Sequence, residues 1–190
     1  MKKIISVIFL CILAFCSVSC SAKNEVNVRE IAKPLIVDSI KLNEIIYGKG
    51  LSLSDTVEGK YTKVEHEGYK SVSDIKDALH AVFTAEYSEL IEKTILSGTS
   101  DVHGTLYARY IDINGVLYSH NEAKVYFQFH RKFDFDSIKV KDVTDKRIIF
   151  TIDTYSSDIE GNYSDKAERL EIKLIYDEGY EGWRLDTPTY

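Results

Sequence analysis

Cysteine is missing from everything after position 20. All three cysteines of the 190-residue chain sit in CILAFCSVSC, residues 11–20. The body of the protein therefore contains no thiol nucleophile, no cysteine ligand for zinc and no pair for a disulfide. Basic runs are missing as well. The densest positive cluster, HRKF at 130–133, is followed at once by Asp134 and Asp136, and 24 Lys and Arg stand against 30 Asp and Glu, a formal charge of −6. Such a surface is a poor match for phosphate backbones or anionic lipids, and no nucleic-acid partner is expected. The sequence also lacks a glycine-rich phosphate loop, a GxSxG elbow and any HxH, HxxxH or HExxH spacing, which removes the usual signatures of nucleotide, serine-hydrolase and zinc chemistry.

The N-terminus is informative. Met1-Lys2-Lys3 followed by the uncharged apolar run from Ile4 to Phe15 has the charge and length pattern of a secretory signal peptide. The run is shorter than the ~20 apolar residues a membrane span needs, and Ser17 and Ser19 interrupt it. Val18-Ser19-Cys20 resembles the bacterial lipobox, in which the cysteine after the cut is acylated, although Ser17 stands where that motif prefers Leu. The expectation is a lipoprotein signal peptide over 1–19, lipidation at Cys20, a tether over 20–27 and a single domain over 28–190. Loss of Lys2 and Lys3 leaves 22 basic against 30 acidic residues, a charge of −8. The expected location is extracytoplasmic, on the outer face of the bacterial cytoplasmic membrane, with the lipid as the only membrane contact.

Along the chain, Ile31, Leu35, Leu42 and Ile46 share one helical face closed by Gly48, with Ile36, Ile40 and Tyr47 opposite. Pro34 suits only a first turn, so the helix is predicted to begin near Lys33 and to touch protein on two sides. Residues 48–68, with two close glycines and few large aliphatics, read as a long connecting loop. Ser71-x-x-Asp74 resembles a capping box before Ile75, Leu79, Val82 and Phe83, and Thr84 is placed to cap a further helix bearing Tyr87, Leu90 and Ile91 and ending near Gly98. After Gly104 the period changes from 3.6 to 2. Asn114-Gly115 marks a hairpin, and the segments beginning at Ala123, Asp136, Arg147, Glu168 and Gly182 read as further strands. Helices followed by antiparallel strands give an α+β class. The predicted architecture is N-terminal helices packed on one curved antiparallel sheet of about six strands, a cystatin-like or NTF2-like roll.

Few residues suggest chemistry. His66, His80, His103, His120 and His130 are expected to be structural, with no metal and no cofactor. Asp158, Glu160, Asn162 and Ser164 lie two apart as in a calcium loop, but Tyr163 and Arg169 stand where an EF-hand needs Gly and Glu, so turn polarity explains them. Asn162-Tyr163-Ser164 fits a glycosylation acceptor, which carries little weight in a bacterial lipoprotein. Phe127, Phe129, Phe133, Phe135 and Phe150 read first as core and second as the lining of a pocket. Asp112, Asp153 and Asp158 fall in or near strand ends, where acid/base work would require them to converge.

Four segments together, IIYGKGL (45–51), YKSVSDIKDALHAVFTAEYSELI (69–91), ARYIDINGVLY (108–118) and GWRLDTPTY (182–190), resemble the layout of the exported inhibitors of cell-wall DL-endopeptidases, the IseA-type family. The resemblance implies a non-enzymatic domain whose partner is an envelope protein, an NlpC/P60-type peptidoglycan hydrolase with an occluded cleft. It supplies no site residues. Contact regions are expected at 48–68, 98–104 and 156–165. The alternatives are an NTF2-like pocket protein that binds or hydrolyses a small ligand, and an accessory or sensor module of another envelope protein.

Overall fold

The computed structural model describes residue 25 and residues 27–100, 103–123, 130–158 and 160–189. The expected leader and Cys20 lie outside the described residues, as do Phe127, Phe129 and most of the strand expected from Ala123. The described elements are helix α1 (residues 27–46), β1 (Leu53–Glu58), β2 (Tyr61–Val64), α2 (Val72–Val82), α3 (Ala85–Lys93), β3 (Thr99–Ser100), β4 (Leu106–Tyr107), β5 (Tyr110–Ile113), β6 (Val116–His120), β7 (Arg131–Val143), β8 (Arg147–Ser156), β9 (Glu168–Asp177) and β10 (Gly182–Leu185). The class is α+β, as the change of period predicts. The single sheet of about six strands is corrected: two four-stranded antiparallel sheets, β1-β2-β6-β5 and β10-β9-β8-β7, accompany a short β3-β4 pair.

Helix α1 starts earlier than its proline suggests. Residue 25 and residues 27–33 are already helical, so Pro34 lies inside the helix and the last residues of the expected tether belong to it. An internal proline lacks the N–H for the carbonyl four residues back and costs about 3 kcal/mol. Complete burial of Val28 and Ile36, at about 1.5–3 kcal/mol each, offsets that cost. The two-sided expectation holds, since Ile36 is fully buried while Ile31, Leu35, Ile40 and Tyr47 pack partly against the same core.

The short helices follow their sequence signals. Ser71 Oγ accepts from Asp74 N while Asp74 Oδ2 accepts from Ser71 N, a complete capping box with Asp as its acid. Thr84 occupies the N-cap of α3 but gives its hydroxyl to Asp186 Oδ1 instead. A π-helical turn, Thr94–Gly98, ends that helix near the expected glycine. In the β5–β6 hairpin, Asn114 and Gly115 adopt φ of 53° and 77° between the paired residues Ile113 and Val116, the positive values a type I′ turn requires.

One apolar cluster joins all three helices and both larger sheets. Ile75, Leu79 and Val82 of α2 meet Ile148, Phe150 and Ile152 of β8, Ile172 and Leu174 of β9, and Leu117 and Tyr110 of the first sheet in that cluster. The C-terminal segment is fastened to α1 by a buried polar chain. Asn43 Nδ2 donates to Thr189 Oγ1, Thr189 and Ser39 hydroxyls lie 2.7 Å apart, and Ser39 Oγ donates to Ile36 O. Every hydroxyl in that chain is satisfied when the protons run from Asn43 toward Ile36.

The first sheet is locked to the end of α1 by Arg109, which is 1% exposed. Its Nε donates to Ile45 O at 3.1 Å and its Nη2 to Gly48 O at 2.7 Å. Tyr110 adds its hydroxyl to Ile45 O and accepts from Leu51 N. The chain threads past this pair at Gly50, whose φ is +84° and whose missing Cβ would lie 2.9 Å from Tyr110 Oη and 3.0 Å from Arg109 Nη2. Arg109→Met is expected to destabilise the fold by about 3 kcal/mol, since it strips buried carbonyls of donors worth ~1–3 kcal/mol each. Tyr110→Phe should cost about 1–2 kcal/mol on the same basis. Urea unfolding at constant m reads both.

Candidate functional site

The acidic residues singled out in the sequence are held apart and each has a structural task. Asp112, on β5, accepts from Val72 N at the start of α2, where a carboxylate also meets the positive end of the helix dipole. Asp153, on β8, forms a two-pronged pair with Arg169 directly across on β9, at 2.7 and 2.8 Å. Asp158 closes its own turn by accepting from Glu160 N and Asn162 N, and those backbone donors, Asn162 first, hold its carboxyl below the usual range. Turn polarity thus accounts for the calcium-like spacing. Among the described residues no group of three or more His, Cys, Asp or Glu could hold a metal ion.

The histidines are dispersed. His120 is buried, stacked 3.7 Å from the Tyr107 ring and edge-on to Tyr61. His66 accepts from Gly68 N and lies beside Tyr69. His130 is exposed at the mouth of the β7–β8 ladder, where its backbone exchanges bonds with Ser157, and His103 lies at an exposed turn. His80 of α2 contacts Glu92 of α3 at 2.9 Å, with Lys76 on the other carboxylate oxygen and Tyr180 stacked on the ring. Of the aromatic set, Phe133 and Phe150 are buried and Phe135 packs partly against the core, with the Lys33 ammonium over its ring. These three belong to the core packing, and none lines either of the two hollows described below.

The region read as a connecting loop is where the structure departs most from expectation. Residues 53–58 and 61–64 form a β-hairpin, and β2 pairs antiparallel with β6, with Tyr61 opposite His120. The signal was hidden because β1 is exposed along nearly its whole length, so no apolar alternation marks it. Leu53 and Val57 are 46% and 60% exposed on this free edge. The register with β2 slips between Leu53 and Val57, a bulge that twists the edge and guards against indiscriminate pairing.

Behind the hairpin lies an open cleft of about 670 Å³. Ser54, Thr56, Lys63 and Val64 form one wall, the 65–70 connection another, and Gly115 to Leu117 of the β5–β6 hairpin the far side. The connection is braced by Lys70 Nζ to His66 O and by Leu117 N to Lys70 O. Burial pushes the Tyr69 phenol up, with Asp38 of α1 adding to the effect. A second hollow, about 450 Å³, is lined mainly by α3 from Glu86 to Lys93 together with Asp186, and Asp186 is already engaged by Lys173 and Thr84.

Ion pairs are unevenly placed. On the second sheet some charged strand residues meet opposite charges: Arg131 with Glu168, Lys141 with Glu171 and Arg169 with Asp153. Residues 51–70 carry Asp55, Glu58, Glu65, Glu67, Lys60, Lys63 and Lys70, and none of these forms an ion pair with a described residue. No family model matches the chain, and comparison with curated proteins gives no match. Among the described residues no helix is long and apolar enough to cross a membrane.

The Glu92 cluster yields a pH prediction. Burial opposes ionisation of Glu92, but Lys76 and His80 outweigh it and hold the carboxyl below its ordinary value of 4.5. A depressed folded pKa means stability that is present above the unfolded value and lost as pH falls through the folded one. Glu92→Gln is therefore expected to be less stable than the parent at pH 7, with the gap closing progressively as pH falls below the ordinary value of 4.5. Urea midpoints measured from pH 7 to 3 check the sign.

Proposed function

We propose that the protein is an exported, lipid-anchored binding domain without catalytic activity, which inhibits NlpC/P60-type peptidoglycan DL-endopeptidases by occluding their substrate cleft. The observation that carries this reading is the exposed β1–β2 hairpin, whose edge presents Leu53 and Val57 among charges of both signs that have no partner within the described fold. Unpaired charges around exposed apolar side chains suit a surface that another protein covers, since complementary charge sets encounter rate and specificity while apolar contact supplies affinity. The hairpin is also pre-shaped. Asn121 N donates to Lys60 O at its tip, and the Tyr61, His120 and Tyr107 rings clamp the start of β2 beside that turn, so little ordering cost falls on binding.

The layout resembling IseA-type inhibitors supports the partner class, and Cys20 in a lipobox-like setting supports the anchor. On this reading the β10-β9-β8-β7 sheet with its covering helices is the cystatin-like or NTF2-like part of the fold, and the hairpin sheet is the part that reaches the partner. The 98–104 and 156–165 turns then serve as secondary contacts, and inhibition needs only shape and charge from loops on a rigid base.

The test is cleavage of peptidoglycan by a purified NlpC-type endopeptidase, with and without excess soluble chain from residue 21 onward. Dose-dependent, saturable inhibition is expected, and Val57→Asp combined with Glu58→Lys should weaken it at least ~10-fold, the scale of losing a buried apolar anchor and a complementary charge. Lys146→Glu, on the opposite sheet's turn, should leave it unchanged. Full hydrolase activity at saturating chain across several such enzymes would overturn the reading.

A further inference from the structure

The cleft behind the hairpin has a composition that the inhibitor reading does not require. Its walls bring together Lys63, Lys70, Glu65 and Glu67 with the His66 and Tyr69 rings, which lie 5.0 Å apart. Lys63, Glu65 and Glu67 alternate with Val64 and His66 along the chain leaving β2. Despite that proximity, the Lys63 ammonium and the Glu65 and Glu67 carboxylates form no ion pair with one another or with any described residue. On the second sheet, by comparison, Arg131, Lys141 and Arg169 each meet an acidic side chain. Here both signs face a shared volume and remain available.

The framework around them is fixed. Glu65 N donates to Ser52 O at 2.8 Å, Gly68 N to His66 Nδ1 at 3.0 Å, and Lys70 Nζ to His66 O at 2.6 Å. Lys70 is thereby committed to bracing, which leaves Lys63 as the cation for a ligand and Glu65 with Glu67 as the anions. A volume of about 670 Å³ is within the range of small-ligand sites, about 300–1,000 Å³. An anion alone would meet two carboxylates, and a cation alone would meet Lys63. A molecule carrying one charge of each sign satisfies both walls, and the tilted His66 and Tyr69 rings offer an apolar face to the chain between its charges.

We propose that this cleft binds a short zwitterionic peptide, its carboxylate held by Lys63 and its ammonium by Glu65 and Glu67. The site is open to solvent and its charges are screened, so the affinity is modest, with Kd of about 1 mM or somewhat tighter. Peptide binding does not rest on the hydrolase reading, because it is measured on the chain alone.

The experiment is isothermal titration of the full chain, purified in detergent, with the dipeptide L-alanyl-L-alanine, which carries one ammonium and one carboxylate. The control ligand is the same dipeptide with its amine acetylated and its carboxyl amidated. Saturable binding of the charged form is expected, weakened at least ~10-fold by capping and by Lys63→Ala or the pair Glu65→Gln with Glu67→Gln, and unchanged by Lys146→Ala. All of these substitutions lie at the surface, and unchanged urea midpoints will show that each variant is folded. No heat up to roughly 10 mM, equal binding of the capped dipeptide, or binding indifferent to both sets of variants would overturn the proposal. None of those results bears on whether the chain inhibits an endopeptidase.

Discussion

A guanidinium withdrawn from water must be matched by negative charge, and in this fold the match for Arg109 includes the carbonyl end of a helix. The side chain is almost wholly buried and donates to Ile45 O and Gly48 O, groups that the end of α1 leaves without helical partners and that carry the negative end of its dipole. Isolated burial of such a charge would be prohibitive. The requirement fixes several things together: where α1 stops, why the turn after it passes through Gly50 at positive φ, and how β5 sits against the helix. Through β5 it fixes β6, and through β6 the β2 strand that carries the hairpin. The exposed edge of the hairpin is therefore positioned by a buried cation.

Much of the fold is readable in the residues, and the failures are physical. Asn114-Gly115 and Ser71-x-x-Asp74 are local devices whose geometry depends on their own side chains and a few neighbouring amides, so each appears as expected. The early start of α1 is illegible from Pro34 because the burial that outweighs the proline comes from distant strands. The hairpin at 53–64 escapes notice because its first strand has no buried face, and alternation is the property by which a strand is recognised. The break at Ala108-Arg109, where one residue turns inward to meet α1, separates the short β3-β4 pair from β5. Nothing in ARYIDI announces that an arginine will be core.

The site was still less legible, since it is defined by pairs that do not form. Asp153 is matched because register sets Arg169 opposite it, while Glu65 and Lys63, two positions apart, are not matched at all. Sequence separation predicts neither outcome. The same register dependence explains why Asp112, Asp153 and Asp158, similar on paper, end in a helix cap, a cross-strand pair and a turn.

The contact between Thr189 and Ser39 spans 150 residues of chain, and the parallel bridge between Phe83 and Leu185 closes a loop of similar scale. Such distant closures slow folding because the entropy of a large loop is lost before the contact forms. A chain made or threaded from its N-terminus meets this condition in time as well as in space. Helix α1 emerges early, yet Thr189, which accepts from Asn43, lies 146 residues further along the chain, so the completed core must wait for it. Until then the amide of Asn43 and the hydroxyl of Ser39 must find their partners in water, and the end of α1 holds polar groups that only the last contact takes out of solvent.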